Sequence, residues 1–123
     1  MPIEKNDMIP YLEAGLKASS LRSKAIANNI ANLQTEGYRR LDVKFEDVLK
    51  SRLSKGEPLE LEGVEPRLLR PMTTPVAGNG NDVDVDSEIA AMIKNNSRMK
   101  LYLKMLRKNY QQMQAAMQVE GGS

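Results

Sequence analysis

Residues 87–117 read SEIAAMIKNNSRMKLYLKMLRKNYQQMQAAM. Within them Ile89, Met92, Asn96, Met99, Leu103, Leu106, Tyr110, Met113 and Met117 recur at alternating steps of three and four. That is the heptad spacing of a helix packed lengthwise on another helix, with one polar interruption at Asn96. Asp86 is placed to cap the start, and Asp84, Asp86 and Glu88 suit the positive end of the helix dipole. Arg107 and Lys108 lie toward the other end. A helix of about 32 residues would run ~48 Å. A globule of 123 residues has no room to enclose it.

Working outward, a second helix is expected from Met8 to Gln34. Leu12, Leu16, Ser19, Ser23, Ile26, Ile30 and Leu33 form one row at helical spacing. Ala14, Ala18, Leu21, Ala25, Asn28 and Asn32 form another beside it. Small residues permit close approach but bury little area per turn. Asp7 is the expected N-cap, Pro10 is tolerated in the first turn, and Gly37 suits the left-handed exit.

Between the helices the composition changes, with Pro58, Pro66, Pro71 and Pro75 all in this part. Phe45, Val48, Leu49 and Leu53 are spaced for a short amphipathic helix closed by Gly56. Leu59-Glu60-Leu61-Glu62 alternates as an extended segment does, and residues 78–82 (GNGND) read as a loop. The chain therefore divides into an N-terminal helix (1–37), a small, partly irregular connecting segment (38–85) and a C-terminal heptad helix with its tail (86–123). The expected fold class is all-α: two long terminal helices form an antiparallel, coiled-coil-like pair, joined by a segment with one short helix and short β segments. The seam between them is expected to use Leu12, Leu16, Ile26, Ile30 and Leu33 against Ile89, Met92, Asn96, Met99, Leu103, Leu106, Tyr110, Met113 and Met117. At ~25 cal/mol per Å², a seam rich in Ala, Ser and Met barely offsets chain entropy. The isolated monomer is thus expected to be partly ordered until other chains complete it.

Composition closes many functional classes. Apolar residues make up 41% and aromatics 4%, with no tryptophan, so the core is thin. No cysteine is present, which excludes disulfides and thiolate chemistry. No histidine is present either, removing the commonest general base and metal ligand. Asp82, Asp84 and Asp86 alternate like the start of a calcium loop, but Ser87 and Ile93 stand where that loop needs glycine and glutamate. Gly78-x-Gly80 lacks the Lys-Ser/Thr of a phosphate loop. No catalytic, cofactor-binding or metal-binding residues are expected, and no small-molecule substrate. No stretch is apolar enough to span a membrane, and residues 1–7 (MPIEKND) lack the pattern of a secretory signal.

The net charge of +2 is unevenly spread. Residues 87–118 carry Lys94, Arg98, Lys100, Lys104, Arg107 and Lys108 against Glu88 alone. Residues 35–86 carry eight basic and eleven acidic side chains. A basic coiled-coil protein binding nucleic acid is therefore the alternative function, marked by steep salt dependence.

Residues 27–40, ANNIANLQTEGYRR, resemble the N-terminal signature of bacterial flagellar axial proteins, the rod and hook components. The matching positions are Asn28, Asn29, Ile30, Ala31, Asn32, Thr35, Gly37 and Tyr38. The stretch 81–88 before the long helix, and the helix end from Leu103, are similar to the proximal rod members. The resemblance implies a structural subunit of the flagellar basal body, exported through the type III apparatus without a cleaved signal and located in the rod on the periplasmic side. It implies helical stacking with copies of itself and with other axial subunits such as FlgC-like rod proteins. It also implies contact with a FliE-like adaptor and the export gate, and no nucleic-acid partner. On that basis Asn28, Asn29, Ile30, Asn32, Thr35, Gly37 and Tyr38 are expected to form a subunit-contact motif, their amides supplying register without a buried charge.

Overall fold

A computed structural model describes residues 8–56 and 65–121. The order is α1 (Met8–Ala31), β1 (Asp42–Lys44), α2 (Glu46–Ser54), β2 (Arg67–Leu69) and α3 (Val85–Gly121). The molecule is mostly helical. α1 and α3 run antiparallel: Asn29 meets Glu88, Ser19 meets Asn95, and Glu13 meets Tyr110. At 37 residues, α3 spans about 55 Å. Among the described residues no helix is long and apolar enough to cross a membrane.

α1 lies between α3 and a small β-hairpin-like ribbon. In the ribbon Asp42, Val43 and Lys44 pair antiparallel with Leu69, Leu68 and Arg67. A two-stranded ribbon is marginal alone, so packing must hold it. Val43 and Phe45, two residues apart and thus on one side of the strand, supply that packing. They are buried with Tyr11, Ala18 and Ala25 of α1, and Ala14, Leu21, Leu41 and Leu49 close over them. Phe45, the chain's single phenylalanine, is only 1% exposed. It sits just before α2, with Gly56 (φ 68°) following that helix.

The boundaries shift in two places. α1 stops at Ala31, three residues before Gln34: Asn32 N–H still reaches the Asn28 carbonyl, but Leu33 N–H turns to the Ile30 carbonyl, three residues back, in the tightened bonding of a helix end. Gly37 consequently serves a later turn, closed by Tyr38 N–H on the Thr35 carbonyl at 3.2 Å, with φ 72°. At α3 the cap is Asp84 rather than Asp86. Its carboxylate accepts from Ser87 Oγ at 2.6 Å, and its carbonyl receives Glu88 N–H. The Ser87 hydroxyl, followed by the backbone N–H groups of Ser87 and Asp86, holds the Asp84 carboxyl below its ordinary range. The expected N-cap Asp7, the Leu59–Glu62 segment, the Leu53 side chain and the last two residues lie outside what is described.

Candidate functional site

The signature segment and the loop before α3 are tied into one knot, and Asn29 is its centre. Fully buried, Asn29 donates from Nδ2 to the Leu41 carbonyl (2.9 Å) and to Glu88 Oε2 (3.1 Å). Its Oδ1 accepts from Tyr38 OH (2.9 Å) and Leu41 N–H (2.8 Å). All four bonding positions of the amide are thus used within the chain. Glu88, 1% exposed, turns its other oxygen to Arg40 Nε at 2.9 Å. Burial works against the Arg40 charge, but the Glu88 hydrogen bond and the nearby Glu88 and Asp42 carboxylates outweigh it and raise its pKa.

A second layer surrounds that centre. Asp82, also buried, accepts from Arg39 Nε at 3.0 Å and from Arg40 N–H at 2.5 Å. Asn81 Nδ2 reaches the carbonyls of Asn32 and Thr35, at the frayed end of α1. Gly80 comes so close to Gly37 that an added Cβ would stand 3.2 Å from the Gly37 Cα. Arg70 lies over the Tyr38 ring, 5.1 Å from its centre, and donates to the Arg39 carbonyl. Asp82 therefore works as an ion-pair anchor. Among the described residues no group of carboxylates is arranged to hold a metal.

The seven motif positions thus have different placements. Asn29 is enclosed in its own chain and unavailable to a neighbour. Asn28 and Thr35 are exposed, bonding Tyr38 OH and Asn32 Oδ1 respectively. Ile30, Asn32 and Tyr38 are half-buried, and Gly37 is exposed.

The contact between α1 and α3 is polar along its midline. On α3 that midline is Glu88, Asn95 and Tyr102, seven apart, which meet Asn29, Ser19 with Ser23, and Gly15 of α1, while Arg22 turns to Glu46 and the Val43 carbonyl. Asn95 Nδ2 donates to the Ser19 carbonyl (2.8 Å) and Ser23 Oγ (2.9 Å). Gly15 makes room for Tyr102, since a Cβ there would lie 2.4 Å from the ring. Glu46, at the start of α2, receives Arg22 at 2.7 Å, Tyr102 OH at 3.1 Å and, more loosely, Arg98 at 3.6 Å. Burial opposes charge at Glu46, yet the Arg22 hydrogen bond and the two guanidinium charges hold its carboxyl below the usual range. Burial first, and the Glu46 charge second, push the Tyr102 hydroxyl up to about 12.

The expected seam residues fall on either side of this midline. Leu12, Ile26 and Leu106 are buried, whereas Leu16, Ile30, Leu33, Met99 and Met113 are half-buried. Ile89, Met92, Asn96, Leu103 and Met117 are exposed, and Tyr110, also exposed, reaches back with its hydroxyl to Glu13 of α1. The face of α3 turned to α1 lies one residue earlier, about 100° around the helix. Together with Val85 and Ile93 (62% exposed), the outward positions leave an apolar row along α3 uncovered.

A family model for flagella basal body rod protein matches residues 12–39, the helix and motif just described. Three curated relatives agree over a longer span. The flagellar basal body rod protein FlgB of Borreliella burgdorferi is 30% identical over 98 residues, covering 65% of this chain and 73% of that protein. FlgB of Borrelia hermsii is 32% identical over 105 residues, covering 71% of this chain and 78% of the relative. FlgB of Bacillus subtilis is 29% identical, covering 71% and 74%. The chain belongs to the flagellar basal body rod protein family.

For this rod protein, reading apolar residues as the seam missed Gly15, Asn95 and Tyr102, and with them the Arg22–Glu46 pair beside it. The signal that could have found them is a polar heptad: Gly15-Arg22-Asn29 and Glu88-Asn95-Tyr102 keep strict seven-residue spacing. Arg40, Asp82 and Glu46 carried no periodic signal, because their partners come from other elements.

Proposed function

We propose that this rod protein is a non-catalytic structural subunit that stacks helically with its own copies and with FlgC-like axial subunits. Its exposed contact surface is the outward face of α3 together with the exposed motif residues Asn28 and Thr35 at the end of α1. Export without a cleaved signal, and a place at the periplasmic base of the rod beside a FliE-like adaptor and the export gate, follow from the same family reading, as does a requirement for motility. One observation carries it: an apolar row of Val85, Ile89, Met92, Ile93, Leu103 and Tyr110 stays 36–62% exposed along a single helix. Contiguous apolar surface of this kind marks an interaction site. Contacts between unlike surfaces that do not close generate filaments.

Leu103→Asp tests this, because the side chain points outward and its replacement leaves the α1–α3 contact intact. In a strain carrying the variant, rod incorporation is lost while the subunit is still exported. Normal rod incorporation of the Leu103→Asp subunit would overturn the assignment.

A further inference from the structure

We infer that the outward face of the C-terminal half of α3 is a docking strip for an acidic amphipathic helix supplied by a different protein. From Ile93 to Val119 the chain carries six cations and no carboxylate. Arg98 is turned toward Glu46. Lys100, Lys104, Arg107 and Lys108 are exposed and form no ion pair among the described residues.

Their arrangement fits a helix. Leu103 and Tyr110, seven apart, are 45% and 46% exposed. Lys100 and Arg107, also seven apart, stand three before and four after Leu103, and Arg107 stands three before Tyr110, so cations border the apolar row. Lys104 and Lys108 extend the positive band away from α1. An apolar heptad row bordered by one sign of charge is half of a coiled-coil interface, and it selects a partner row of opposite charge. Like charges at Lys100, Lys104 and Lys108, four apart, also repel along the helix, and facing carboxylates would relieve that repulsion.

Among the described residues, a second copy of this chain does not supply those carboxylates. Pairing strip on strip would set cations against cations. The outward face of α1 offers Lys17 and Lys24, and its Glu13 already accepts from Tyr110 OH at 2.8 Å. Among the described residues no helix presents a row of free carboxylates. Nucleic acid would engage the cations but leave Leu103 and Tyr110 uncovered. An acidic helix covers both rows.

The inference rests on the assembly role proposed above only in taking this face as buried in a complex. It is tested with the purified full-length chain and a labelled synthetic helix bearing leucine at the two core heptad positions and glutamate beside them. The comparison probes are the same peptide with lysine for glutamate, a DNA duplex, and phosphatidylglycerol–phosphatidylcholine vesicles. The glutamate peptide is expected to bind and the lysine peptide to fail. Lys104→Glu with Arg107→Glu weakens the first about tenfold and admits the second, since each exposed pair contributes a fraction of that change. Leu103→Ser also weakens binding about tenfold, as burial of one aliphatic side chain requires.

Equal binding of both peptides overturns the proposal, as does no binding of the glutamate peptide to a chain of normal helicity. DNA or vesicle binding that matches the glutamate peptide and survives Leu103→Ser overturns it in favour of a polyanion. Should the double reversal lose helicity, the choice between the two peptides by the unmodified chain still decides. The assay is blind to rod incorporation, so its failure is distinct from failure of the Leu103→Asp test.

Discussion

The two ends of the helix pair are built differently. Where α1 ends and α3 begins, Asn29, Glu88, Arg40 and Asp82 satisfy one another and Asn81 ties the loop to the Asn32 and Thr35 carbonyls, so that four buried polar side chains lie close together there. Toward the far end of α3, side-chain hydrogen bonds among the described residues thin to Tyr110 with Glu13 and Asn109 with its own helix, while Leu103 and Met117 stay exposed. One end is self-sufficient. The other has its bonding groups and apolar area still to place, which suits a subunit that keeps its own geometry while remaining open to neighbours. The comparison also explains why a signature rich in asparagine can serve assembly indirectly: it sets the angle and register at which α3 is presented.

Removing the centre of the closed end should have the largest effect. Asn29→Ala leaves Leu41 N–H, the Leu41 carbonyl and a Glu88 oxygen without their partner, at a cost of about 3 kcal/mol or more. Urea unfolding followed by circular dichroism measures it. A loss below about 1 kcal/mol would mean that the knot is not where stability resides. Next comes the middle of the pair. Gly15→Ala improves helix propensity by about 1 kcal/mol but drives a methyl into the Tyr102 ring, so a net loss of about 1–2 kcal/mol is expected. In a Tyr102→Ala background the same change should turn neutral or favourable. Absorbance at alkaline pH adds a second readout, because the displaced Tyr102 should ionise below its present value of about 12.

The smallest effect belongs to Glu46, whose carboxyl is only partly enclosed. Its folded pKa is depressed, so its contribution is present above the ordinary carboxyl range and is lost as pH falls through the folded value. Glu46→Gln should therefore cost about 1 kcal/mol near neutral pH and flatten the decline of stability on the acid side. An unchanged acid slope would show that Arg22 finds another partner.

Much of the architecture could be read along the chain. The long C-terminal helix followed from heptad spacing, the N-terminal helix from its small-residue rows, and the short α2 from Val48 and Leu49 ending near Gly56. The family was legible in residues 27–40, where asparagines, a glycine and a tyrosine fall at characteristic spacing. The direction in which the helices face was not. Apolar periodicity marks a row that needs covering without saying by what, and the helix pair centred on the polar row, enclosing only part of the apolar one, Leu106 among it. Short β segments between the helices were legible, but not the positions of β1 and β2, because each strand is three residues long, too short for alternation to register.

Spacing and composition thus settled the two helices, their antiparallel pairing and the absence of cysteine and histidine chemistry. Only the packed chain assigned Asn29 to the interior, Asp82 to a salt bridge and the apolar row of α3 to the outside. The reason is physical. Helix formation depends on neighbours within a few residues, whereas the worth of a buried amide or carboxylate depends on partners tens of residues away, and these meet only once the chain has folded.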